Sequence, residues 1–110
     1  MKQINAYIKP RKLNDVTQAL KKIKTLRGMS VIKAEGFGRR GEDDPYHPAV
    51  DDLMDFASYA KIEIFCDDDL ENEIVLLIEK NAYTGLRGDG KIYVSQVDKA
   101  FKIGKGQISC

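Results

Sequence analysis

The densest cluster of chemically capable residues is Thr84-Gly85-Leu86-Arg87-Gly88-Asp89-Gly90-Lys91. Glycines at 88 and 90 let backbone N–H groups approach an anion closely, and Lys91 adds a point charge. The run nearly spells the phosphate-loop pattern GxxxxGK followed by Ser or Thr, with Gly85, Gly90 and Lys91 in place. Ile92 stands where the magnesium-binding hydroxyl belongs, and the following residues predict a strand rather than a helix, so this is not a P-loop NTPase. Taken alone, the segment fits an anion cradle and a helix cap followed by an Asp-Gly turn equally well.

A second cluster, Gly36-Phe37-Gly38-Arg39, combines close backbone approach with a guanidinium fork that matches phosphate oxygens. On its own it reads more readily as a glycine-flanked strand end. Lys102 and Lys105 form a third basic group near the C-terminus that reads as solvated, and residues 104–110 read as a tail. Catalytic constellations are lacking. The single His47 has no cysteine or serine partner in view, and Asp43, Asp44, Asp51 and Asp52 share a loop with no fixed geometry. That loop can be read as holding a divalent ion, but a solvated loop is the better reading.

The elements that must position these clusters follow from periodicity. Residues 3–9 alternate Ile4, Ala6 and Ile8 against Asn5, Tyr7 and Lys9, a strand with one apolar face that Pro10 stops. Asn14 is placed to cap a helix carrying Val16, Ala19, Leu20 and Ile23, ending at Arg27-Gly28. Strands are predicted over 29–37 and 60–66, the latter with Ile62, Ile64 and Cys66 on one face. Asp67-Asp68-Asp69 then opens a second helix with the stripe Leu70, Ile74, Leu77 and Ile78, for which Gly85 is the C-terminal cap. A fourth strand covers 91–97. The order strand, helix, strand, strand, helix, strand is the α+β ferredoxin-like βαββαβ arrangement, with both helices on one face of an antiparallel sheet.

The helices are expected to cover Ile4, Ile8, Ile62, Ile64, Ile92 and Val94. The opposite face keeps Tyr7, Phe65, Tyr93 and Val97, more apolar area than a solvent face needs, and is therefore expected to bury against other copies of the chain. Between strands two and three lies a long insert, 39–54, far longer than an ordinary hairpin loop and the natural arm for touching a partner.

At 110 residues the chain reads as one domain, 1–110. A net charge of +1 gives no global field to recruit nucleic acid. No apolar run suits a membrane span or signal peptide, so a cytoplasmic address is expected. Cys66 and Cys110 are read as unpaired thiols.

Several motifs together resemble the PII family of nitrogen-regulatory signal transducers. They are Ile8-Lys9-Pro10, Lys12-Leu13-x-Asp15-Val16, Gly28-Met29, Gly36-Phe37-Gly38-Arg39, Asp55-Phe56, Lys61-Ile62-Glu63-Ile64 and the run Thr84–Val94, across residues 1 to 103. The resemblance implies a non-catalytic homotrimer that binds ATP or ADP in clefts between subunits, magnesium being admissible with ATP. It places Gly36, Phe37, Gly38, Arg39, Gly88, Asp89, Gly90 and Lys91 at the nucleotide, Ser30 and Phe65 near the adenosine end, and Lys102 at the phosphates. The insert 39–54 corresponds to the family's T-loop, which contacts a membrane transporter or metabolic enzyme.

The sequence also departs from the family pattern. Asp52 stands at the tyrosine that some members have uridylylated, while Tyr46 matches a nearby tyrosine. Arg40, counted with the nucleotide site, replaces a magnesium-holding glutamine, and Gly104 replaces an arginine that Lys105 can compensate. Tyr59 replaces the lysine that pairs with 2-oxoglutarate, so that ligand is not expected to bind in the usual way. These departures describe a divergent paralogue. The alternative is a metal- or small-anion-responsive sensor on the same scaffold, linked to a transporter such as a metal-efflux system. A small acylphosphatase-like enzyme is disfavoured, because no arginine and asparagine are seen to converge near Arg39.

Overall fold

The computed structural model describes residues 1–37 and 57–109. Four strands form one antiparallel sheet: β1 (Lys2–Ile8), β2 (Ser30–Gly36), β3 (Ala57–Cys66) and β4 (Gly90–Gln96). Their spatial order is β2-β3-β1-β4, as the ferredoxin-like arrangement requires. Two helices, α1 (Leu13–Lys21) and α2 (Glu71–Ala82), join the strands in sequence. A further hairpin, β5 (Ala100–Lys102) and β6 (Gly106–Ser109), stands as a separate two-stranded sheet. Among the described residues no helix is long and apolar enough to cross a membrane.

The core is the apolar alternation of the two central strands closed by the two helix stripes. Ile4, Ala6 and Ile8 of β1 and Ala60, Ile62, Ile64 and Cys66 of β3 bury against Val16 and Leu20 of α1 and Ile74, Ile78 and Ala82 of α2. Period-two and period-3.6 patterns therefore meet in one layer, as the sequence predicts. Cys66 is a free thiol; desolvation, aided by Asp67 and Glu71, pushes its pKa up and keeps it protonated. Cys110 lies outside the described residues.

The differences from expectation concern element ends and edges. Asn14 does not cap α1: a 3-10 turn, Pro10–Lys12, runs straight into the helix, and Asn14 accepts a bond from the Thr17 hydroxyl through its carbonyl. Because Pro10 fixes φ and needs no N–H partner, it starts a turn of helix as well as ending the strand. Helix α1 also stops at Lys21, ahead of Arg27-Gly28, although Ile23 still reaches the core. The aspartates at 67–69 mark the second helical onset, but Asp67 makes no side-chain cap and Asp68 pairs with the N-terminal amine at 2.8 Å. Gly85 is left-handed at φ +79°, yet α2 ends at Ala82 with Tyr83 extended, so Gly85 belongs to the following turn. Val94, on the edge strand, remains 39% exposed, since complete burial is confined to the central strands. Residues 104–109, read as tail, belong to the β5–β6 hairpin, whose turn closes through Lys105 N–H to Lys102 C=O at 2.9 Å.

Candidate functional site

The glycine-rich loop owes its shape to one carboxylate. Asp89 accepts hydrogen bonds from the Thr84 N–H (2.9 Å), the Gly85 N–H (3.1 Å) and the Thr84 hydroxyl, and pairs with Lys9 at 3.1 Å. Partial desolvation opposes its charge, but the Thr84 hydroxyl and N–H, Lys9 and the Gly85 N–H outweigh it and hold the carboxyl well below the usual carboxylate range. The turn is thereby closed on itself before any ligand arrives.

Two glycines then leave backbone uncovered by side chains. Gly88 has φ +81°, and Gly90 has φ +117° where the chain enters β4. A Cβ on Gly90 would lie 1.7 Å from the Tyr7 carbonyl oxygen, so the close pairing of β4 with β1 depends on glycine. Lys91, the next residue, is exposed, and no described carboxylate pairs with it.

This loop and the Gly36 cluster meet in one groove on the helix-free face. Its volume is about 690 Å³, and Gly36, Phe37, Gly88, Asp89, Gly90 and Lys91 line it together with Asn5, Tyr7, Tyr59 and Tyr93. The floor is aromatic: Tyr7 and Tyr93 meet edge to face with ring centres 6.1 Å apart. The Tyr59 ring packs so close to Gly36 that a Cβ there would come within 3.3 Å. Among the described lining residues Lys91 alone is positively charged. Gly38, Arg39 and Arg40 lie outside the described residues, as do His47, the carboxylates of 43–52 and the whole arm 39–54.

Ser30, Phe65 and Lys102 are not brought to this groove. Gly90 pairs with Ile8 across β1–β4, whereas Phe65 pairs with Gln3 across β1–β3. Five residues of strand separate the two levels, about 17 Å at the usual rise. Ser30, opposite Glu63, lies on the far edge strand β2. Phe65 and Lys102 instead line a second hollow of about 450 Å³ with Arg27, Leu26, Cys66 and Ile108. The expected site residues thus do not converge within one chain: Phe65 and Lys102 share the second hollow, remote from the glycine loop, and Ser30 lines neither hollow.

The residues at hand fit a polyphosphate in part: two uncluttered glycine backbones, one unpaired lysine and a turn already locked. They do not assemble a metal cage, since the described residues hold no group of three His, Cys, Asp or Glu side chains suited to one. Sequence reasoning missed Lys9 as a site residue. Its signal was the Ile8-Lys9-Pro10 triplet, where Pro10 draws attention to the strand end and hides the ammonium aimed at Asp89.

A family model described as "Nitrogen regulatory protein P-II" matches residues 1–107. A nitrogen regulatory protein P-II of Bradyrhizobium diazoefficiens is 40% identical over 107 residues, covering 97% of this chain and 95% of the relative. The protein of the same name from Azospirillum brasilense is 36% identical, and nitrogen regulatory protein P-II 1 of Escherichia coli K12 is 39% identical, each with the same coverage.

Proposed function

The chain belongs to the nitrogen regulatory protein P-II family, a family of regulators rather than enzymes, and on that premise we propose that it senses adenine nucleotides. In this reading it is a homotrimer that binds ATP or ADP in clefts between subunits, with magnesium entering alongside ATP. It signals through the segment 39–54 to a membrane transporter or metabolic enzyme.

The observation that carries the reading is that Phe65 and Lys102 share a hollow remote from the glycine loop of the same chain. A ligand that needs both groups must be held by two copies, one offering Gly36, Phe37 and Gly88–Lys91, the other Ser30, Phe65 and Lys102. Such a head-to-tail contact uses different patches on each partner and closes into a ring when the rotation permits. The helix-free face supports the same assembly. Tyr93 is 55% exposed and Phe65 48% exposed on it, and the Asn5 side-chain oxygen is shielded from solvent without a donor. An unmet buried acceptor is costly, and a neighbouring subunit can supply what is missing.

Each residue has a physical task. Gly88 and Gly90 present N–H groups to phosphate oxygens, and Lys91 and Lys102 neutralise charge from the two sides of the cleft. Asp89 shapes the loop rather than meeting the anion, since its oxygens are taken by Thr84, Gly85 and Lys9. The departure at Tyr59 removes a cation from the groove, so a dicarboxylate such as 2-oxoglutarate finds no partner there beyond Lys91 among the described residues. Titration calorimetry with ATP and ADP tests the proposal: saturable binding of either supports it, and no heat from either at millimolar concentration sinks it.

A further inference from the structure

Lys9 leaves the end of β1 and sends its ammonium into the glycine loop. The nitrogen donates to the Thr84 hydroxyl oxygen at 3.1 Å and lies 3.1 Å from Asp89 Oδ1. The Thr84 hydroxyl in turn donates to that same Asp89 oxygen and accepts from the Leu86 N–H at 3.1 Å. The other Asp89 oxygen takes the N–H groups of Thr84 and Gly85. Residues 84–86 and 89 are therefore tied in one ring, and Lys9 is its side-chain anchor to the sheet.

Charge gives that anchor a second consequence. Asp89 stands between Gly88 and Gly90, the two positions whose backbone is open to an anion. A bare carboxylate there would repel a polyphosphate across a few ångströms. The side chains of Lys9 and Asp89 are only 19% and 22% exposed, so their mutual cancellation is less screened than that of a surface pair.

We propose that Lys9 is a positioning residue for the Gly88–Lys91 anion loop, acting through Thr84 and Asp89 to fix its shape and cancel the Asp89 charge. The inference rests on the nucleotide reading above and adds a specificity to it. With Lys9 neutralised, the uncompensated Asp89 charge penalises ligands in proportion to their own charge, so ATP suffers more than ADP and ADP more than AMP.

The test uses full-length Lys9→Met, which keeps the stem and removes the charge, and Lys9→Arg, which keeps the charge. Hydrogen exchange on the ligand-free protein reads the loop directly. In Lys9→Met the Thr84, Gly85 and Leu86 amides should exchange about ten-fold faster, the scale of one lost charge-assisted hydrogen bond, with Ile62 and Ile64 unchanged. Calorimetry should show ATP affinity falling about ten-fold, ADP less and AMP least, with the spread narrowing in high salt. Lys9→Arg should recover most of both effects. Thr84→Val approaches the ring from the other side: Leu86 exchange should rise while the ordering of nucleotide losses stays flat. Unchanged exchange at the three amides in Lys9→Met overturns the inference, and so does an equal loss of affinity for ATP and AMP. Wild-type protein that binds neither ATP nor ADP defeats the nucleotide reading instead, and the exchange result then still decides whether Lys9 holds the loop.

Discussion

Replacing Gly90 with alanine should damage this protein far more than replacing Gly88, although both are exposed glycines of the same loop. At Gly90 the backbone has φ +117°, a conformation that costs an L-residue about 1–3 kcal/mol. The added Cβ would also fall 1.7 Å from the Tyr7 carbonyl oxygen and 3.2 Å from the Ile8 Cα. These are backbone atoms of the central strand, so relief requires moving β4 away from β1, at the cost of ladder hydrogen bonds. Forced packing of this kind typically adds about 1–3 kcal/mol, which puts Gly90→Ala at about 2–6 kcal/mol in all. At Gly88 the φ of +81° carries its own strain, but the nearest atom is the Lys9 Cε at 3.9 Å. Only the left-handed penalty of about 1–2 kcal/mol applies there. Urea unfolding followed by circular dichroism, at one fixed protomer concentration because the proposed assembly would contribute to stability, should separate the variants cleanly. A Gly90→Ala protein within about 1 kcal/mol of wild type, or less affected than Gly88→Ala, would refute the reasoning.

Other outcomes follow from the same geometry. Lys91→Ala should weaken nucleotide binding by about 2–4 kcal/mol in calorimetry if the ammonium meets phosphate in a desolvated cleft, with the melting temperature of the ligand-free protein little altered. Asp89 has a folded pKa below its ordinary value of 3.8, so its contribution to stability is complete above that value and is lost as pH falls through the folded one. Thermal melts of wild type and Asp89→Asn should therefore differ most near neutrality, and the gap should close progressively in acid; a gap that widens in acid contradicts the assigned direction.

The strands and helices were legible because each carries one clean period. Ile4, Ala6 and Ile8 alternate, and Ile74 and Ile78 recur at helical spacing, and both patterns bury as predicted. Element ends were less legible, because several groups compete to end a helix. Asn14 looked like a cap, but Pro10 had already begun the helical turn; the aspartates at 67–69 looked like caps, but Asp68 found an ammonium instead. The β5–β6 hairpin escaped notice because its strands are short and its turn, Ile103-Gly104-Lys105, resembles a flexible end. For the site, the types at 84–91 read equally as an anion cradle and as a cap followed by an Asp-Gly turn. What they could not announce was register: only the pairing of Gly90 with Ile8 and of Phe65 with Gln3 shows that the two groups of residues lie apart. Lys9 was hidden for a related reason, since its partner is 80 positions away in sequence.

The account turns on a ligand cleft completed by two chains, and mixed assemblies test it most directly. Lys91→Ala disables the glycine-loop side and Lys102→Ala the other, so assemblies of either variant alone should bind ATP poorly. Co-expressed with different tags and purified through both, a closed ring of the two variants must contain one cleft with both lysines intact. Recovery of ATP binding at one cleft per mixed ring, with near wild-type affinity, is the predicted result. Mixed rings that bind no better than the single variants would contradict a cleft shared between chains.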